Sequence, residues 1–106
     1  MARIVIAAYK PKPGMAAELE TLVKAHVPLL RSQGLATEQE STIMRAGDGT
    51  IIEVFEWVSK EAIKSAHQNA AVLEMWQHYA EACDYPPLCL VSESQQLFAE
   101  FTPVVQ

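Results

Sequence analysis

The sequence predicts an α+β fold in which helices cover one face of a four-stranded antiparallel sheet. Three observations lead there. Residues 3–9 (RIVIAAY) and 51–58 (IIEVFEWV) are aliphatic, β-branched or aromatic at both side-chain parities, which marks strands covered on both faces. Residues 15–33 and 60–83 carry apolar positions at helical spacing. Breaks rich in glycine and proline cut the chain into the order strand, helix, strand, hairpin, strand, helix, strand.

The first strand stops at Lys10-Pro11-Lys12-Pro13-Gly14. In the helix that follows, Met15, Leu19, Leu22, His26 and Leu29 recur in a 4, 3, 4, 3 rhythm, and Val23, Val27 and Leu30 widen the stripe. Gly34 suits the position just past its end. Pro28 lies inside this helix, where its ring meets the carbonyl of Lys24 and removes a hydrogen bond, so a bend after His26 is expected, opening a cavity beneath it.

Residues 35–46 form a weaker, more polar strand, an edge or bent segment, and Gly47-Asp48-Gly49 turns the chain into the central strand. Ser59 then reads as an N-cap, with Glu61 in the first turn. Ala62, Ile63, Ala66, His67 and Ala70 follow at helical spacing, which puts His67 on the inward face. Gln68-Asn69 interrupts the pattern before the stripe Val72, Met75, Trp76, Tyr79 and Cys83, so two short helices or one kinked helix is expected. Asp84-Tyr85-Pro86-Pro87 ends it. Residues 88–92 (LCLVS) read as the last strand, and residues 94–106 as an apolar tail that packs on the sheet or on a partner chain.

A chain of 106 residues makes one domain spanning residues 1–106, and a half-apolar composition leaves apolar surface beyond a single core. The net charge of −5, with only eight Lys plus Arg and no basic cluster, argues against nucleic acid or an anionic membrane as partner. No apolar run approaches the roughly 20 residues of a membrane helix, and residues 4–8 are too short for a signal-peptide core, so the chain reads as cytoplasmic. Cys83 and Cys89 lack zinc-site spacing and are expected as buried or partly buried free thiols.

The element order matches a split βαβ, or ferredoxin-like, βαββαβ unit with its first and third strands central. Helices in that unit cover one sheet face only, whereas residues 4–8 and 51–58 are apolar on both. A second copy applied through a two-fold axis supplies the missing cover, which predicts a homodimer.

Chemistry concentrates on His26, His67, Glu53 and Glu56. A carboxylate on a doubly covered strand must be paired, at a strand end or at a cavity, since an unpaired buried charge costs several kcal/mol. Each candidate also has a plain reading. The histidines can be bonded to neighbouring polar groups, with His26 donating to a carbonyl freed by the bend, and the glutamates can pair across strands with Arg3 or Arg45. Trp57, Trp76, Tyr79, Tyr9 and Phe55 are core or the wall of a slot for a flat aromatic ligand. Glu74 and His78, four apart, have no third ligand nearby in sequence and read as an exposed helical pair, not a metal site.

The segments GTIIEVFEW, SKEAIKSAHQNAAVLEMW, HVPLLRSQG and FAEFTPV together resemble the dimeric α/β-barrel superfamily, and within it small antibiotic-biosynthesis-monooxygenase-like proteins. The likeness covers nearly the whole chain. It implies two ferredoxin-like units paired through their sheets, with a ligand cavity between helices and sheet in each. Haem-degrading members of that superfamily use an Asn on the first strand, a Trp on the helix after the third strand, and a His about three turns beyond. Here the first strand has no Asn, His67 stands where the Trp is expected, and Gln77 where the His is expected, with His78 one residue off. Haem degradation is therefore rejected. The cofactor-free monooxygenases ask for an apolar cavity, groups that orient a phenolic substrate, and a base that makes it an electron-rich anion. The absence of a flavin or nicotinamide motif agrees with that branch. The expectation is a cofactor-independent oxygenase on a small aromatic or quinol-like molecule, with His67 as base, Glu53 or Glu56 fixing its tautomer and His26 facing it. The alternative is a non-catalytic or stress-associated protein holding a hydrophobic metabolite.

Overall fold

The computed structural model describes residues 1–106. Its elements are β1 (Arg3–Pro11), α1 (Ala16–Ser32), β2 (Thr42–Arg45), β3 (Ile51–Trp57), α2 (Lys60–Ala66), α3 (Ala70–Ala82), β4 (Cys83–Asp84) and β5 (Thr102–Pro103). The sheet is antiparallel throughout, in the order β4-β1-β3-β2-β5. It has five strands where four were expected, because Thr102 and Pro103 pair with Arg45 and Met44 beyond β2.

Local signals set the helix ends. Gly34, at φ +73°, lets the Gly34 and Leu35 amides turn back to the carbonyls of Arg31 and Leu30, which closes α1. Ser59 and Asn69 accept from the Ala62 and Val72 amides and cap α2 and α3, so the interrupted pattern resolves into two helices. α1 runs unbroken through Pro28, whose ring lies on the exposed side.

Two expected strands differ. The expected strand at 88–92 is a 3-10 turn, Leu88–Leu90, followed by another, Ser92–Gln95. Pro86 and Pro87 have no amide to give a ladder, and the Ser94 hydroxyl bonds the carbonyls of Leu88 and Val91, which favours a coil. The edge position beside β1 goes instead to Cys83–Asp84, straight out of α3. The strand expected over 35–46 is laddered only at Thr42–Arg45, with an isolated bridge from Ala36 to Trp57.

Register decides what faces what. Val5 pairs with Phe55, Ala7 with Glu53 and Tyr9 with Ile51, and these side chains point to the helices. The core forms there, with Tyr9, Ile51, Phe55 and Trp57 against Leu19, Val23 and Val27 of α1, Ala66 of α2, and Val72 and Tyr79 of α3. The alternate set, Ile4 with Glu56, Ile6 with Val54 and Ala8 with Ile52, faces away. The C-terminal segment covers one end of that outer face, where Val91 packs on Ala8, Ala46 and Ile52, with Leu88 and Phe101 beside them. The other end is bare: Ile4 is 68% and Ile6 50% exposed, so the second cover expected for this strand does not come from its own chain. In the tail Val104 is buried, while Leu97 and Phe98 are exposed. Both cysteines are free; Cys83 is buried, whereas Cys89 is exposed, where a shielded thiol was expected.

Candidate functional site

Between helices and sheet lies a cavity of about 350 Å³, walled by Val5, Tyr9, Phe55 and Trp57 from the sheet and His26, Ile63, Trp76 and Tyr79 from the helices, with His67 and Tyr85 completing it. Eight of the ten lining residues are hydrophobic, so its few polar atoms carry the specificity.

Beneath this cavity is a buried polar cluster. β3 carries Glu53 at its centre, between the small Ala7 of β1 and Ile43 of β2, and the carboxylate is fully buried. His26 comes down from α1 with Nδ1 2.8 Å from Glu53 Oε1, and the Tyr9 hydroxyl donates to the same oxygen at 2.8 Å. Above the ring, Trp76 Nε1–H donates to His26 Nε2 at 3.2 Å. An indole N–H can only donate, so Nε2 presents its lone pair and the imidazole proton sits on Nδ1, pointing at Glu53. His26 is thereby held neutral, in one tautomer. Its ring is wedged edge-on between Phe55 and Tyr79, with centroids 5.2 and 5.3 Å away.

The two phenols of the cluster differ. Burial first, and then the Glu53 charge, push both Tyr9 and Tyr79 far above the ordinary phenol range, so both stay protonated. Tyr9 spends its proton on Glu53. The Tyr79 hydroxyl has no partner, and neither has Glu53 Oε2. Cys83 donates to the Tyr79 carbonyl, and burial lifts its thiol to about 11.

Of the four residues expected to do chemistry, the fold brings His26 and Glu53 into one hydrogen-bonded pair. His67 is not on an inward helix face. It caps the C-terminus of α2, is exposed, and stands at the cavity mouth with its ring centroid 5.1 Å from that of Trp76. The helix ends at Ala66, so the stripe that would have carried His67 inward stops one residue short. Glu56 also departs from expectation. Strand alternation turns it to the outer face, where Thr37 donates to its Oε1 at 2.9 Å. Neither arginine proposed as a cross-strand partner reaches a glutamate of β3; Arg45 pairs with Glu20 of α1. Glu74 is exposed, and His78 lies 4.0 Å from Glu81, with no third ligand gathered there.

All five expected wall residues line the cavity: Tyr9, Phe55, Trp57, Trp76 and Tyr79. Sequence reasoning missed the role of Tyr9 as donor to Glu53 and of Trp76 as donor to His26. The first had a legible signal, since Tyr9 and Glu53 share a face once Ala7 is set opposite Glu53. The second joins residues 50 apart on different helices and had none. Tyr85 read only as part of the break after the second stripe, yet it lines the cavity, and burial lifts its hydroxyl to about 12.

No family model and no curated protein matches the chain. Among solved structures it is similar to Rv0793 from Mycobacterium tuberculosis, with a TM-score of 0.64 and 18% identity over 81% of this chain and 87% of that one. That likeness shows the fold, a compact α+β one. No helix is long and apolar enough to cross a membrane.

Proposed function

We propose that this chain is an antibiotic-biosynthesis-monooxygenase-like member of the dimeric α/β-barrel superfamily, one unit over residues 1–106, that oxygenates a small aromatic or quinol-like molecule without a cofactor. The observation that carries the reading is a neutral histidine, oriented by a buried carboxylate, under an apolar cavity of about 350 Å³. A base so held takes a phenolic or benzylic proton at Nε2, and the imidazolium formed is balanced by Glu53 on its other side. The substrate anion gives electrons to dioxygen, which is the oxidant. One oxygen atom enters the product as a carbonyl at an activated CH₂, and the other leaves as water with the two hydrogens. The base role falls to His26, with Glu53 and Tyr9 fixing its tautomer, while His67 attends the mouth. The free thiols of Cys83 and Cys89 fit a reducing, cytoplasmic compartment.

The test is aerobic oxygen uptake over a panel of quinols and anthrones. Wild type is expected to outpace His26→Ala by about 10²–10⁴-fold on at least one substrate, the usual range for a positioned base. His67→Ala is expected to change the rate much less. Equal rates for wild type and His26→Ala throughout the panel sink the mechanism.

A second reading has one observation in its favour: both imidazole nitrogens are already engaged, by Glu53 and by Trp76. A protein that only stores a hydrophobic metabolite needs no free base. It would show a ligand-dependent rise in melting temperature and no oxygen consumption.

A further inference from the structure

A lone pair inside an apolar cavity must be satisfied, because a buried acceptor left unmade is costly. Trp76 meets that need for His26 Nε2, and the indole N–H bonds nothing else. Trp76 is half-buried, packed against the core from the middle of α3, and its ring meets the exposed ring of His67. A base that must accept a ligand's proton at Nε2 is therefore covered by a group on that same atom.

We infer that Trp76 is a specificity-determining residue: its indole N–H keeps the place of a ligand hydroxyl on His26 Nε2. The ligand class the cavity takes is then aromatic hydroxyl compounds, which bring their own donor when they displace the indole. An aromatic of equal breadth without a donor has no bond to exchange and leaves Trp76 where it is. The inference rests on the proposed site, but not on its oxygen chemistry.

The experiment is anaerobic calorimetric binding of 2-naphthol and of naphthalene to wild type and Trp76→Phe. The variant keeps an aromatic wall and removes only the competing donor, so 2-naphthol is expected to gain about tenfold in affinity relative to naphthalene, one hydrogen bond's worth. Loss of packing at residue 76 moves both probes together and leaves their ratio alone. A ratio unchanged within about twofold, by the same arithmetic, overturns the inference. So does a fall in the relative affinity of 2-naphthol, which would mean that the indole holds the ligand instead of standing in for it. Failure of both probes to bind wild type overturns the inference together with the site it rests on.

The second readout needs no ligand. ¹⁵N spectra of the His26 ring, assigned against His26→Gln, are expected to show Nδ1 protonated in both proteins and the Nε2 resonance displaced in Trp76→Phe. An Nε2 resonance that stays put also overturns the inference. If the affinity ratio shifts as expected and no aromatic hydroxyl compound consumes oxygen, Trp76 keeps its role and the oxygenase reading alone falls.

Discussion

Glu53 Oε1 accepts two bonds and Oε2 none, and that asymmetry separates two tyrosines of the same cluster. Tyr9→Phe removes a donor from a buried carboxylate and is expected to cost about 1–3 kcal/mol. Tyr79→Phe removes a hydroxyl that is already without a partner, so it is expected to cost nothing or to stabilise slightly. Urea midpoints at neutral pH compare the two; equal losses would mean that Tyr79 has a partner after all. The same burial sets the alkaline limit. Folding raises Cys83 from 9.0 to about 11 and the buried phenols above 10, so each holds its proton more tightly in the folded chain than in the unfolded one. Their contribution is fully present below pH 9 and is lost as pH rises, with Cys83 acting between pH 9 and 11. Stability is expected to fall steadily above pH 9, and Cys83→Ala to flatten the first part of that fall. At this scale the sequence showed which residue types were out of place, His26 and Glu53 among them. It did not distinguish Glu53 from Glu56, because both strand faces are apolar and only the register against β1 says which parity meets the helices.

Caps and breakers made the elements legible where they act within a few residues. Ser59, Asn69 and Gly34 do what their types predict, and the split between α2 and α3 follows from Asn69 capping a fresh helix. α3 carries both Trp76 and Tyr79, so its cap bears on the cavity. Asn69→Ala is expected to cost about 1 kcal/mol, and Gly34→Ala about 1–2 kcal/mol for a left-handed backbone. Thermal unfolding measures both. The Asn69 change is expected to disturb the fluorescence of Trp76 on the same helix, and the end of α1 is tied to that cap, since Asn69 also donates to Gln33 Oε1 at 3.1 Å. The stretch 88–92 was misread for a reason of the opposite kind. Its composition suits a strand, but an edge strand must reach a partner, and the partner edge of β1 at Lys10 and Pro11 is taken by Cys83–Asp84 before the chain arrives. Competition for an edge is a property of the fold, not of a local window.

Ile4 and Ile6, on the outer face of β1, are 68% and 50% exposed, next to a half-buried Val54, although a central antiparallel strand ordinarily has its apolar side chains covered. The C-terminal segment shelters Ala8 and Ile52 and stops there. A second copy of the chain is the cover we propose. A two-fold interface lays the same patch on itself, so one apolar face is enough for both partners. A stable interface takes roughly 800 Å² from each partner, more than two isoleucines present, so it must extend over their outer-face neighbours, Val54 and Thr42 among them. Sedimentation at micromolar concentration is expected to show a dimer for wild type. Ile6→Lys puts a charge in the patch without touching the helix-side core and is expected to give a folded monomer with unchanged far-ultraviolet dichroism. Since the cavity lies on the opposite face of the sheet, the Ile6→Lys monomer is also expected to bind aromatic ligands as wild type does, which separates assembly from the site. A wild-type chain that stays monomeric and monodisperse would leave Ile4 and Ile6 wetted for no structural return, and the paired-sheet arrangement would fail with it.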